Sequence, residues 1–267
     1  MNPPYIHVPF PPTLAEKRAI VTTSWDDGQA TDFRMMELLS SFGIRGTFFV
    51  PLRFKGRPAP LAEALPEIPG DFEIGGHSAN HLDLRGLNAH CLREEVEGSK
   101  AQLEARGGAP VRVFSYPMGR HDAAARRAVR KAGYLSARIT EEYCVHQPAD
   151  PYQTPTTLSA YPLTRWRRLL REFRAYRWMN VAFLARNWNR TWRGLAVELF
   201  AQARRRGGIW HLWGHSWEIE RLGLWEQLGE VLRAVAHHGD VHYCTNGELA
   251  ELLSAVPLPA GKTALTP

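Results

Sequence analysis

The segment Ala19-Ile-Val-Thr-Thr-Ser-Trp-Asp-Asp-Gly28 decides how this chain reads. A short apolar run passes without a break into two adjacent carboxylates, Asp26 and Asp27, and then into a glycine that lets the backbone turn. Two carboxylates at the end of a buried strand are costly unless a cation or a proton compensates them. The same letters also describe an ordinary solvated turn, so they need partners before they mean chemistry.

Working outward, Asp32 to Phe42 has helical spacing (Phe33, Met36, Leu39) and stops at Gly43. Strands are predicted at 46–51, 72–77, 111–117, 134–139, 209–213 and 241–244, with helices at 89–106, 122–132, from the late strand to about 235, and at 247–256. Such alternation implies a parallel sheet with crossover helices, and about seven units favour an α/β barrel over an open sheet. With 267 residues and 44% hydrophobic content, one core suffices without a disulfide. The expected organisation is an extended Pro-rich lead-in over 1–18, one barrel over 19–256 and a tail over 257–267.

In a parallel barrel the loops after the strands form the active face. His77-Ser-Ala-Asn-His81 follows Gly75-Gly76 at such a strand end. Two histidines four apart share a face of a helical turn, and with Asp27 they would make a two-histidine, one-carboxylate metal set with open positions. Alone, the pair reads equally well as surface histidines. Phe114-Ser-Tyr-Pro-Met-Gly119 is a strand end turned by Pro and Gly, and by itself is a plain loop. Trp210-His-Leu-Trp-Gly-His-Ser-Trp-Glu218 holds two histidines and three tryptophans, more than core filling requires, although packing is the commoner role of any one tryptophan.

Taken in order, Trp-Asp-Asp-Gly, His-Ser-x-x-His, a Pro-x-Gly strand end and a late histidine strand resemble the polysaccharide deacetylase family of the NodB-like, carbohydrate esterase family 4 type, over about Ile20 to Tyr243. The resemblance implies a distorted parallel (β/α) barrel of about seven strands. It implies metal-dependent removal of an N-acetyl or N-formyl group from an amino sugar in a polysaccharide, an oligosaccharide or a lipid-linked precursor. By the same resemblance Asp26 is the general base. Asp27, His77 and His81 hold one divalent metal, usually zinc, with cobalt, nickel or iron serving in relatives. His215 is the general acid, with His211 on the same strand face as its rival. Tyr116, Pro117, Met118 and Trp213 form the oxyanion and substrate pocket, the Met118 N–H being the backbone donor.

Two departures stand out. Ser115 replaces an arginine that usually pairs with the catalytic aspartate, and Arg120 is the nearest cation in sequence. The usual Asp-Trp support of the catalytic histidine is missing, and Glu142-Tyr143 falls where it would lie. A non-sugar amide hydrolase on the same barrel and an inactive glycan-binding relative are the alternative readings.

The formal charge of +6 is local: twelve arginines face two glutamates between Arg165 and Arg206. This basic, Trp-rich helical insertion at about 160–206 could contact an anionic membrane surface or a lipid phosphate, or merely cover the barrel. No nucleic-acid-binding motif accompanies it. The scattered Cys91, Cys144 and Cys244, with no signal-like or membrane-spanning stretch, predict a cytoplasmic protein, peripheral at most to the inner membrane face.

Overall fold

The structure, a computed structural model, describes residues 14, 16–162, 165–175 and 177–255. Most of the lead-in, Tyr176 and the tail lie outside the described residues. The strands are β1 Ala19–Asp26, β2 Gly46–Val50, the antiparallel hairpin pair β3 Arg53–Phe54 and β4 Arg57–Pro58, and β5 Phe72–Gly76. They continue with β6 Val113–Ser115, β7 Ser136–Arg138, β8 Leu158–Ser159, β9 Gly208–Gly214 and β10 Val241–Tyr243. The helices are α1 Asp32–Ser41, α2 Pro60–Glu63, α3 Ala89–Arg93, α4 Ser99–Gly107, α5 Ala123–Lys131 and α6 Arg165–Arg174. Then follow α7 Trp178–Arg186, α8 Trp192–Arg206, α9 Ser216–Leu222, α10 Trp225–Val235 and α11 Asn246–Ser254.

Seven strands run in the order β7-β6-β5-β2-β1-β9-β8, every neighbouring pair parallel. The sheet curls until its edges meet across residues 154–159. Thr154 donates its N–H to Ala137 at 2.8 Å, and Thr157 donates to His211 at 2.8 Å. This thin seam distorts the barrel. One edge of β1 is shared, with β10 beside Ala19–Val21 and β2 beside Thr23–Asp26, while β9 lines the other edge. Every residue of β1, β2 and β9 is buried, as parallel strands covered on both faces must be.

Local sequence explains most of the elements and their ends. Asp122 caps α5 by accepting from the Ala125 N–H, and Thr245 with Glu248 makes a reciprocal capping box on α11. The helix expected over 89–106 contains a π-helical turn at Glu94–Gly98. The long helix expected after the late strand breaks at Gly223, whose φ of +63° ends α9 before α10 begins. The hairpin β3–β4 and strand β8 escaped the sequence reading because two-residue strands carry no periodic signal. No helix among the described residues is long and apolar enough to cross a membrane.

Trp25, Phe48, Phe114 and Trp210 are fully buried, and Phe48 meets Phe72 edge-on at 5.6 Å. Around β5 the packing leaves room only for glycine: a Cβ on Gly75 would lie 2.4 Å from the Phe49 ring, and one on Gly76 2.3 Å from the Tyr134 hydroxyl. These glycines let β5 deliver His77 close against its neighbours. Gly75→Ala is therefore expected to overpack the sheet and lower stability by about 1–3 kcal/mol. The readout is the urea midpoint, with an unchanged midpoint refuting the close approach.

Candidate metal and acid–base site

Five strand ends on one rim supply the candidate residues: Asp26 and Asp27 from β1, His77 after β5, Ser115 on β6, Arg138 on β7 and His215 after β9. Parallel strands in register bring these ends together although Asp26 and His215 stand 189 positions apart in sequence.

Asp27, His77 and His81 each offer a ligand atom, all within 4.8 Å of one another. His81 Nε2 lies 3.3 Å and His77 Nε2 3.8 Å from Asp27 Oδ1. His77 Nδ1 sits 2.7 Å from the Ser115 carbonyl, which can only accept, so this nitrogen carries the proton and Nε2 presents its lone pair to the cluster. Burial lowers the His77 pKa to about 3, so the ring is neutral and fit to ligate. Asp27 Oδ1 is buried without a hydrogen bond among the described residues, while Oδ2 accepts from the Trp217 indole at 2.9 Å. An orphaned carboxylate oxygen facing two neutral imidazoles is the donor set of a divalent ion such as zinc.

The backbone is strained where these ligands sit. Asp27, Ser78, His81 and Met118 have positive φ although none is glycine. A buried carboxylate holds the His77–His81 loop: Glu95, on the π turn, accepts from the Asn80 N–H at 2.9 Å and from its amide at 2.7 Å. π turns recur at functional sites for such reasons. Asp83, two residues beyond His81, pairs with Arg85 and Arg120 at the surface.

Asp26 lies beside the cluster, its Oδ2 accepting from the Arg138 guanidinium, which also donates to Ser115 Oγ at 2.6 Å. The cation absent at position 115 thus arrives from the next strand, and the serine leaves room for it and fastens it. Arg120 does not fill this place. Burial pushes the Asp26 pKa up, but Arg138, His77 and His215 outweigh it and hold the carboxyl below its usual range. Its Oδ1 accepts no hydrogen bond among the described residues.

His215 and His211 have distinct surroundings. Burial acts to lower the pKa of His215, but its bond to Glu218 (Nδ1 to Oε2, 2.9 Å) and the two aspartates raise it above the ordinary value. His215 Nε2 points at Asp27 Oδ2 from 3.8 Å. His211 is packed inside the barrel against Ser24 Oγ at 2.8 Å, and burial first, then Arg138, lower its pKa to about 3. The carboxylate supporting His215 is Glu218, three residues on. The expected supporter Glu142 accepts instead from the Trp213 indole at 3.3 Å, and Tyr143 packs against Phe183.

Trp213 is buried between Arg138, 4.9 Å from its ring, and His215 at 5.7 Å. Tyr116 is buried too, its hydroxyl on the Tyr152 carbonyl at 3.2 Å. The turn Pro117–Gly119 bonds through the Gly119 and Arg120 N–H groups, leaving the Met118 N–H out of those bonds. Arg138, Glu218, Trp217 and Glu95 went unassigned in the sequence. Only Glu218 and Trp217 sit in a stretch whose composition signals them.

The protein is expected to bind about one divalent ion per chain, lost in His77→Ala/His81→Ala, as read by metal analysis of protein prepared without chelator. Retention of the ion by the double variant would remove the assigned ligands.

Residues 14–137 match the family described as polysaccharide deacetylase. A Bacillus subtilis protein provisionally named polysaccharide deacetylase YxkH is 27% identical over 130 residues, 48% of this chain and 46% of that one. A bifunctional xylanase/deacetylase of Pseudobutyrivibrio xylanivorans is 21% identical over 107 residues, 39% and 17% of the two chains. The matched stretch spans less than half the length of either curated relative. In structure, a provisionally named polysaccharide deacetylase from Mycobacterium smegmatis superposes with a TM-score of 0.64 at 15% identity, covering 97% of this chain and 100% of that one. The Xyl-CE4 domain of a multidomain xylanase from the hindgut metagenome of Trinervitermes trinervoides gives 0.54 at 15% identity, with 90% and 93% covered. These likenesses establish the distorted parallel barrel.

Proposed function

We propose, from the match of residues 14–137 to the polysaccharide deacetylase family, that this protein is a metal-dependent hydrolase removing an N-acyl group from an amino sugar. One observation carries the reading: a buried carboxylate held by an arginine, with one oxygen unpartnered, stands beside a three-ligand cluster and a histidine bonded to a carboxylate that raises its pKa.

A divalent ion on Asp27, His77 and His81, zinc by the character of the donors, would supply Lewis acidity toward the acyl carbonyl and acidify an attacking water. The chain's own groups move the protons. Asp26 is the base, its unpartnered Oδ1 taking the proton of the attacking water while Arg138 keeps the carboxylate charged. His215, its pKa raised by the bond to Glu218, is the acid that delivers a proton to the leaving nitrogen. The neutral, packed state of His211 fits it for support rather than for this transfer. The Met118 N–H is assigned to the developing oxyanion, a role that asks nothing of the side chain. Tyr161 and Trp213, ringed about His215 at 6.3 Å and 5.7 Å, suit the apolar face of a sugar or the acyl methyl. Acetyl on a polysaccharide or oligosaccharide is the substrate proposed first, with formyl on a lipid-linked precursor as its variant.

Asp26→Asn is expected to lower turnover of N-acetylglucosamine oligomers by about 10²–10⁴ while metal content stays unchanged. Full turnover in that variant would take Asp26 out of the mechanism. Activity confined to non-sugar amides would replace the substrate class.

The pH profile follows from the two shifts. Asp26 must be ionised and its pKa is lowered, so the acid limb of kcat/KM lies below the ordinary carboxylate range. His215 must be protonated and its pKa is raised, so the alkaline limb lies above the ordinary histidine value. Glu218→Gln removes the partner that raises His215, and should move the alkaline limb to lower pH while leaving the acid limb in place. An unmoved alkaline limb would assign it to another group.

A further inference from the structure

We propose that the α6–α7 pair is a docking surface for an anionic lipid bilayer, lying flat in its interface beside the mouth of the candidate site. The proposal does not depend on the hydrolytic reading, because it rests on a different part of the chain.

The pair turns its polar anchors inward. Glu172 is fully buried and accepts from the Asn180 amide at 2.9 Å. Asn180 also donates to the Glu142 carbonyl at 3.3 Å, and Arg177 reaches Glu141 at 3.0 Å. These bonds fix the helices to the loop leaving β7. Tyr161, just beyond β8 and four residues before α6, stacks over His215, so the pair rises from the rim that carries the site.

The outward surface is apolar and cationic at once. Trp166, Leu170, Phe173, Trp178 and Met179 are between 47% and 65% exposed. They are half of the ten exposed large hydrophobic residues in the described chain, gathered within fourteen positions. Phe173 and Trp178 meet edge-on at 5.1 Å, joining the patch across the two helices. Arg167, Leu170, Arg174 and Ala175 line an open groove of about 450 Å³. From Arg165 to Arg186 the sequence holds seven arginines against Glu172 alone; Arg168 is buried and Arg177 turns inward, while Arg167, Arg174 and Arg186 are exposed. Arg174 and Arg186 make no ion pair among the described residues.

Charge complementarity points to an anionic partner, and the apolar set selects among anionic partners. Sugars stack on aromatic faces and gain nothing from exposed leucine or methionine, whereas acyl chains accept Leu170, Met179 and the indoles together. Arginines flanking such a face sit at the level of lipid phosphates. No described helix can span a bilayer, so the contact is interfacial.

The test is flotation of the full chain, loaded with zinc, on vesicles of phosphatidylcholine alone or with about one part in four phosphatidylglycerol, at about 50 mM salt. Binding is expected to the anionic vesicles only, falling about fivefold for each charge removed in Arg174→Gln and Arg186→Gln. Leu170→Ser/Trp178→Ser should weaken it by about tenfold or more. Both variants change exposed groups, and retained zinc stoichiometry shows that they fold. Absence of flotation by folded protein would overturn the proposal. So would equal binding by the Leu170/Trp178 variant, or capture by an acidic polysaccharide without vesicle binding.

Discussion

Two neighbouring carboxylates buried at the end of one strand constrain everything around them. Asp26 and Asp27 are 3% and 2% exposed, and each negative charge raises the cost of the other. The fold meets that cost by separating their surroundings. Asp26 is given a guanidinium, while Asp27 is given two imidazoles and an indole N–H. A buried ion pair of the first kind seldom adds net stability, so the reason for the pair lies in what it does to the carboxylate's acidity. The second arrangement is incomplete without a cation, and that incompleteness is what makes it a candidate metal site.

Holding these groups in place strains the backbone, and the strain is local. Left-handed conformations at Asp27, Ser78, His81 and Met118 cost of the order of 1–3 kcal/mol each. The surrounding sheet, close-packed through Gly75 and Gly76, and the Glu95 clamp on Asn80 oppose their relaxation.

The architecture and the cluster are legible in the sequence because both rest on local pattern. Apolar runs alternating with helical spacing imply the parallel sheet, and carboxylates or histidines directly after such runs must fall on one rim. The partners of those residues were not readable. Arg138 ends a three-residue strand with nothing in its neighbourhood to mark it, and only the pairing of β6 with β7 brings it to Ser115. Glu95 lies in an ordinary helical stretch whose π turn has no sequence signature. Glu142 sits at the expected place in order but turns to Trp213, because chain order does not fix which way a loop side chain points.

The Arg138–Ser115 pair also makes two positions interdependent. Placing an arginine at position 115 would set a second guanidinium against the first, in a buried space now filled by a hydroxyl 2.6 Å away. Like charges at that spacing repel, so with Arg138 in place position 115 must carry a small neutral side chain. A change at either position alone leaves Asp26 beside two cations or beside none, and each case disturbs its acidity.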